Sequence, residues 1–76
     1  SESSKKEINI NKIIEEVLAI TEHNLGIDHI RLVRHYQGDI PAVIGDTAKL
    51  RQVFINFINN AQHAMENGGE LIITTR

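Results

Sequence analysis

Apolar residues recur along the chain with two different periods. Residues 7–11, EININ, alternate apolar and polar positions, which predicts a short half-buried strand. After Ile10 the apolar spacing changes to that of a helix, and the apolar face of this predicted helix is formed by Ile13, Ile14, Val17 and Leu18. Asn11 is its predicted N-cap. Gly26 is the residue predicted to end it, because glycine accepts a positive φ.

The middle of the chain predicts a strand and then a loop. Within residues 27–36, apolar or aromatic side chains fall mainly on one parity and polar side chains on the other, with Val33 and Arg34 as exceptions. The first parity holds Ile30, Leu32 and Tyr36, and the second holds Arg31 and His35. Residues 37–45, QGDIPAVIG, are predicted to form a loop, with a brief strand at residues 42–44.

The strongest periodic signal lies in the second half of the chain. Asp46 can cap a helix that continues to about Asn67, with an apolar face of Leu50, Val53, Phe54, Phe57, Ile58, Ala61 and Met65. Gly68 and Gly69 are predicted to stop this helix, and residues 70–76, ELIITTR, have the β-branched content of a strand. The order β, α, β, loop, α, β predicts an α/β fold, a partial α/β sandwich with two helices on one face of a mixed sheet.

Composition narrows the class of protein. The chain has 76 residues, enough for one small domain, of which 41% are hydrophobic, and its net charge of -2 gives no reason to expect nucleic-acid binding. It has no cysteine, which removes disulfides and thiolate metal sites, and no apolar run close to the roughly 20 residues of a membrane span. Residues 1–6 are predicted to be a linker or a cloning remnant, with Ser1 to Ser4 outside the fold.

A polar stripe borders the apolar face of the second predicted helix. At about 100° per residue, Asn56, Asn60, His63 and Asn67 fall on one side of the helix, whereas Asn59 points elsewhere. Asparagine is a poor helix former, so the three asparagines in residues 56–60 cost about 1 kcal/mol in sum. Two interpretations stay open from spacing alone: the stripe lines a ligand cleft, or it is an exposed helix boundary that hydrogen-bonds water.

The stretch GDTAKLRQVFINFINNAQHAMENGGELIITT resembles the N-box region of the ATP-binding catalytic domain of bacterial sensor histidine kinases. The resemblance rests on the Asp, Leu and Gln-Val positions followed by Asn-x-x-x-Asn-Ala. Upstream, ININ, KIIEEVLAI, IRLV and DIPAVIGD match the opening of that domain in order and spacing, so the resemblance covers nearly all of residues 7–76. The AM and GG ending is most similar to kinases of the nitrogen-regulatory and sporulation type.

The resemblance implies a magnesium–ATP site in the intact domain. Asn60 matches the asparagine whose amide oxygen coordinates the Mg²⁺ that bridges the ATP phosphates. Asn56 matches the partner asparagine on the same wall of the pocket, and His63 matches a position that can donate to a phosphate oxygen. Asn59 and Asn67 have no matching role and are assigned to the solvated surface.

A related fold implies a competing class of enzyme. In the gyrase, MutL and heat-shock chaperone ATPases, the position that corresponds to Asn56 is a glutamate that acts as general base on the hydrolytic water. An amide cannot take up that proton. Transfer to a histidine, which is itself the nucleophile, needs no such base, so Asn56 favours a kinase over a hydrolase.

The departures from the family pattern lower the activity that we expect of the chain alone. The chain stops before the glycine-rich boxes that complete the nucleotide pocket, and none of its four histidines has the flanking residues of the phosphoacceptor helix. We therefore expect the chain alone to be inactive and to bind ATP with a Kd weaker than about 1 mM, which corresponds to no more than about 4 kcal/mol.

The resemblance also implies partners for a longer parent protein. These are the phosphoacceptor helical domain of the same kinase and a response regulator, in the cytoplasm, with no direct membrane contact; membrane anchoring of the parent is left open. The alternative is a protein-association module without chemistry, because an open sheet edge and an uncovered apolar face favour a homodimer or a domain swap.

Four remaining polar residues receive structural interpretations. His29 and His35 lie six residues apart with no third ligand at hand, so no metal site is predicted there. Arg51 and Gln52 are predicted to lie on the outer side of the second helix, either as plain surface or in contact with a partner domain.

Overall fold

Strands and helices alternate along residues 5–76, the part of the chain that the computed structural model describes. The predicted linker residues Ser1 to Ser4 lie outside the described residues. The elements are β1 (Lys5–Ile8), α1 (Ile10–Ile27), β2 (Ile30–His35), β3 (Val43–Asp46), α2 (Thr47–Ala64) and β4 (Gly69–Thr74). β1 therefore takes in Lys5 and Lys6, which lie inside the segment assigned to a linker.

The four strands form two separate pairs within the described residues. β1 and β3 run antiparallel, with Ile8 opposite Val43. β2 and β4 run parallel, with Leu32 opposite Leu71, and the α1 and α2 helices connect the strands. The predicted α/β class, with two helices and both parallel and antiparallel strands, is confirmed.

Helix α1 begins two residues earlier than predicted. Asn9, in an extended conformation, is the N-cap, and its side-chain oxygen accepts a hydrogen bond from the Lys12 backbone N–H at 3.3 Å. The prediction of Asn11 as the cap is wrong because that side chain is used elsewhere: its amide donates to the Gln37 carbonyl at 2.8 Å, and its oxygen accepts from the Thr75 hydroxyl at 2.7 Å. Asn11 thus ties the start of α1 to the ends of β2 and β4.

The end of α1 also differs from the prediction. The helix continues through Gly26 because Leu25 is fully buried in the core, and the residue with a positive φ is His29, at 62°. The turn that His29 makes lies against Gly68, whose φ is 90°; a Cβ on Gly68 would lie 2.9 Å from the His29 carbonyl oxygen. Glycine is therefore required at position 68 for two reasons. The backbone there is left-handed, and the His29 carbonyl oxygen lies too close to leave room for a Cβ.

The apolar core lies between α1, the β2–β4 pair and one position of α2. The predicted apolar face of α1 is buried, whereas on α2 only Ile58 is buried, and Val53 and Phe57 are each 58% exposed. The core cluster comprises Ile14, Val17, Leu18, Leu25, Ile30, Ile58 and Leu71. None of the helices within residues 5–76 is long and apolar enough to cross a membrane.

A polar network on the surface explains why Arg34 departs from the alternation of β2. Arg34 lies on the core-facing parity, and its guanidinium reaches α1, donating to Glu15 at 2.8 Å and to Glu22 at 3.0 Å. The Tyr36 hydroxyl donates to the same Glu15 carboxylate at 2.7 Å. The hydrogen bonds from Tyr36 and Arg34 hold the pKa of Glu15 below its ordinary value of 4.5. Burial, together with the bond to Glu15, raises the pKa of Tyr36 to about 12.

Candidate functional site

The candidate site lies on α2, whose start is set by a side-chain cap. The Asp46 carboxylate accepts hydrogen bonds from the backbone N–H groups of Ala48 at 3.0 Å and Lys49 at 3.3 Å. The predicted cap is therefore confirmed. Asp46 is also the last residue of β3, so the strand leads directly into the helix.

Three of the four predicted stripe residues are brought together on α2. Asn56, Asn60 and His63 lie within Thr47–Ala64, and all three are exposed. Positions four residues apart on a helix have Cβ atoms about 5–6 Å from each other. The side chains of Asn56 and Asn60 are therefore close enough to act on one ligand.

The fourth residue, Asn67, is not on the helix. α2 ends at Ala64 with Met65 as its C-cap, so the predicted end at about Asn67 is wrong by three residues. The Met65 N–H donates to the Gln62 carbonyl at 3.1 Å, and the Gly68 N–H donates to the Met65 carbonyl at 3.0 Å. These bonds form a tight turn towards β4, which places Asn67 outside the helical stripe.

The two asparagine side chains differ in their hydrogen bonding. The Gln52 amide donates to the Asn56 oxygen at 3.0 Å across one helical turn. Within residues 5–76, Asn60 makes no side-chain hydrogen bond, so both its oxygen and its amide N–H groups face solvent. Gln52 belongs to the stripe, and the sequence interpretation missed this, although an amide pair at i and i+4 is a recognisable signal.

Arg51 does not lie on the outer side of α2, and that prediction is wrong. Its guanidinium donates to the Glu16 carboxylate of α1 at 2.8 Å. Position 51 lies on the same helical face as the buried Ile58, seven residues later, and that face packs towards α1. Both partners of this ion pair are more than a third exposed, so it contributes little to stability.

The donor set on the stripe fits magnesium in its chemistry. Mg²⁺ takes six oxygen ligands, of which the protein commonly supplies one or two and phosphates and waters supply the rest. Two exposed amide oxygens one turn apart can supply that share. Within residues 5–76, no group of three His, Cys, Asp or Glu side chains is placed to hold a metal ion.

Comparison of the sequence with known proteins identifies kinase relatives. No protein-family model matches the chain. It is 39% identical over 72 residues to sporulation kinase A of Bacillus subtilis, a match that covers 92% of the chain and 12% of that protein. It is 35% identical over 69 residues to the sensory histidine kinase/phosphatase NtrB of Azospirillum brasilense, covering 90% of the chain and 17% of that protein. The chain thus spans less than a fifth of the length of these relatives.

Comparison of the fold points to one part of such proteins. The chain superposes on the nucleotide-free catalytic domain of the histidine kinase ThkA with a TM-score of 0.84 and 28% sequence identity. This match covers 92% of the chain and 48% of the ThkA structure. In sequence and in fold, the chain is therefore a partial catalytic domain of the histidine kinase family.

Proposed function

We propose that α2 supplies one wall of a Mg²⁺–ATP site, the N-box, in a sensor histidine kinase of a two-component system. The observation that carries this proposal is the exposed stripe of Asn56, Asn60 and His63 on one helix of a histidine kinase fold. In a longer parent protein the reaction would be transfer of the ATP γ-phosphoryl group to a protein histidine. The partners would be the phosphoacceptor helical domain and a response regulator.

Each stripe residue has a distinct role in the proposed site. The side-chain oxygen of Asn60 has no hydrogen-bond donor within residues 5–76, and it would be the protein ligand of Mg²⁺. Asn56 would act from the same wall, one turn earlier, and His63 would donate a ring N–H to a phosphate oxygen. When bound, the metal neutralises charge on the transferring phosphoryl group.

The chemistry of Asn56 favours phosphotransfer over hydrolysis. Hydrolysis of ATP in the related ATPases needs a general base for the attacking water, and an amide cannot accept that proton. A histidine acceptor brings its own nucleophilic nitrogen. A wall of amides is therefore suited to orienting the nucleotide while another domain supplies the attacking group.

We further propose that the chain alone binds ATP with a Kd weaker than about 1 mM. The stripe is one exposed helix surface, and only a few side chains would contact the ligand. Calorimetric titration of residues 1–76 with Mg²⁺ and a non-hydrolysable ATP analogue tests this, and micromolar binding would contradict it.

The proposed role of the stripe is tested in a complete domain. A chimera in which this chain replaces the matched part of the ThkA catalytic domain provides one, because the two superpose closely. Asn60→Ala should lower Mg²⁺-dependent affinity for the analogue at least about tenfold, which corresponds to about 1.4 kcal/mol. Asn59→Ala is the matched control, an exposed asparagine on the same helix, and should leave the affinity unchanged. Equal effects of the two substitutions would refute the assignment.

A second candidate function is protein association without chemistry. It is favoured by large apolar side chains that the chain leaves exposed, including Val53, Phe57 and Ile72, each more than half exposed. The two candidates are distinguished by the chimera. If it folds but binds no nucleotide, association is the better account of the chain.

A further inference from the structure

Gln52 and Asn56 form a hydrogen-bonded amide pair on the exposed side of α2. The Gln52 Nε2 donates to the Asn56 Oδ1 at 3.0 Å, and both side chains are exposed. The two positions lie one helical turn apart, which is the spacing at which side chains on a helix meet. The roles proposed for Asn56, Asn60 and His63 do not include Gln52, so this bond adds a fourth side chain to the same wall of α2.

The direction of this bond determines which atoms Asn56 presents to solvent. A side-chain amide carries an oxygen that only accepts hydrogen bonds and an NH₂ group that only donates them, on opposite sides of the amide carbon. Because Gln52 donates to the oxygen of Asn56, the Asn56 NH₂ group is turned away from Gln52. Within residues 5–76 that NH₂ group has no acceptor, so it is free to donate to a ligand.

Asn56 and Asn60 therefore differ in what they offer to a ligand. The Asn60 oxygen has no hydrogen-bond donor within residues 5–76. The Asn56 oxygen already has one, and the positive end of the Gln52 N–H dipole beside it repels a cation. Amide oxygens suit Mg²⁺, whereas N–H donors suit phosphate oxygens. The pair thus separates a metal-binding asparagine from a phosphate-binding one.

We propose that Gln52 is a positioning residue of the nucleotide site, which holds Asn56 with its NH₂ group towards the phosphates and its oxygen away from the metal. Gln52 acts through Asn56 and need not touch the ligand. The inference rests on the proposed function, because it needs a Mg²⁺–ATP site on α2. The orientation of Asn56 can nevertheless be measured without nucleotide.

The size of the effect decides which substitution to make. One exposed amide pair on a helix favours its bonded arrangement by only about 1.5- to 2-fold. Removal of Gln52 would therefore change the orientation of Asn56 too little for a sharp test. Gln52→Glu is the stronger change, because a carboxylate can only accept and so draws the Asn56 NH₂ group towards itself.

The first test measures the side-chain amide signals of ¹⁵N-labelled residues 1–76 by NMR, without ligand. Asn56→Ala should shift a Gln52 N–H signal, because that group loses its acceptor. Asn59→Ala is the matched control, an exposed asparagine on the same helix, and should leave the Gln52 signals in place. Gln52→Glu should move an Asn56 N–H signal downfield as the bond reverses. Equal shifts from the two alanine substitutions, or an Asn56 signal that does not respond to Gln52→Glu, would overturn the proposal.

The second test is a double-mutant cycle in the chimera, read as the Kd for Mg²⁺ and a non-hydrolysable ATP analogue. Gln52→Glu turns the Asn56 oxygen towards the phosphates and also adds a negative charge. In an Asn56→Ala background only the effect of the charge remains. The loss of affinity on Gln52→Glu should therefore be at least about tenfold larger when Asn56 is present, and equal losses in the two backgrounds would refute the positioning role.

Gln52→Lys is the conservative variant for this cycle. Its ammonium group can only donate, so it keeps the Asn56 oxygen engaged and the NH₂ group free. Any change in affinity that the added charge causes should then be the same with Asn56 and in the Asn56→Ala background. A change in affinity as dependent on Asn56 as that of Gln52→Glu would contradict the proposal.

Asn60→Ala separates this inference from the proposed function. If that substitution leaves nucleotide affinity unchanged, the proposed function fails whatever the cycle gives. If it weakens binding while Gln52→Glu has equal effects in the two backgrounds, the metal-binding role of α2 stands and the role of Gln52 is refuted.

Discussion

Replacing Asn60 by alanine should make the isolated chain more stable. Asn60 lies within α2, is exposed, and makes no side-chain hydrogen bond to residues 5–76, so truncation removes no contact that the structure shows. Alanine is favoured over asparagine in a helix by up to about 0.7 kcal/mol. The free energy of unfolding should therefore rise by roughly 0.5 kcal/mol, allowing for partial fraying near the helix end.

Two further substitutions show whether this reasoning is quantitative. Asn59→Ala should give a similar gain, because Asn59 is also exposed on α2. Asn56→Ala should give almost none, because the lost bond from Gln52 offsets the gain by about 0.2–0.5 kcal/mol.

The assay is urea unfolding of residues 1–76 and its variants, followed by far-ultraviolet circular dichroism. With an m-value of about 1 kcal/mol/M, Asn60→Ala should raise the midpoint by about 0.5 M. Its Tm should rise by about 2–4 °C. A urea midpoint that falls by a similar amount would refute the reasoning. It would show that the Asn60 side chain stabilises the fold and is not free to bind a ligand. A gain in stability combined with a loss of nucleotide affinity in the chimera is the trade-off expected of a binding residue.

Three other predictions follow from the structure. Leu18→Ala, at a fully buried site, should cost about 2–5 kcal/mol in urea unfolding, while Ile20→Ala at an exposed site on the same helix should cost little; equal costs would place the core elsewhere. Tyr36→Phe removes the largest cause of the lowered pKa of Glu15, so that pKa should rise in an NMR titration. The contribution of Glu15 to stability is present above pH 4.5 and is lost as the pH falls through its lowered pKa, so in Tyr36→Phe this contribution should be smaller and its loss should be complete at a higher pH; an unchanged Glu15 pKa would contradict the bond. In the chimera, Asn56→Glu should increase ATP hydrolysis by supplying a general base, and an unchanged rate would count against the proposed division between kinase and hydrolase.

The regular elements could be predicted from the sequence because their signals are local. The period of apolar residues identified both helices, and Asp46 was recognisable as a cap because aspartate is among the residues most favoured at that position. At the start of α1 the sequence predicted Asn11 as the cap, whereas the structure has Asn9. The choice between them depends on bonds from Asn11 to residues more than twenty positions away, which no local pattern contains.

The end of α1 and the position of Arg51 were mispredicted for related reasons. Gly26 is a typical residue for ending a helix, but burial of Leu25 extends α1 beyond it, and His29 adopts the left-handed conformation instead. Arg51 lies at the border between the polar and apolar sides of α2, where only the position of α1 decides which way the side chain turns.

The candidate site was predictable as far as the helix extends. The spacing of Asn56, Asn60 and His63 places them on one stripe in any regular helix, and the structure has that helix through Ala64. Asn67 falls outside because the turn through Gly68 begins before it. The extent of the uncovered α2 face could not be predicted, because periodicity identifies apolar positions and does not show which of them another element covers.

The most direct test of the central claim is an NMR titration of the chimera, labelled with ¹⁵N, with Mg²⁺ and a non-hydrolysable ATP analogue. The side-chain amide signals of the α2 asparagines report each position separately. If α2 is the nucleotide-binding wall, the Asn60 and Asn56 signals should shift with increasing ligand, while the Asn59 signal should stay in place. Shifts at Asn59 with none at Asn60 and Asn56 would contradict the assignment of the site.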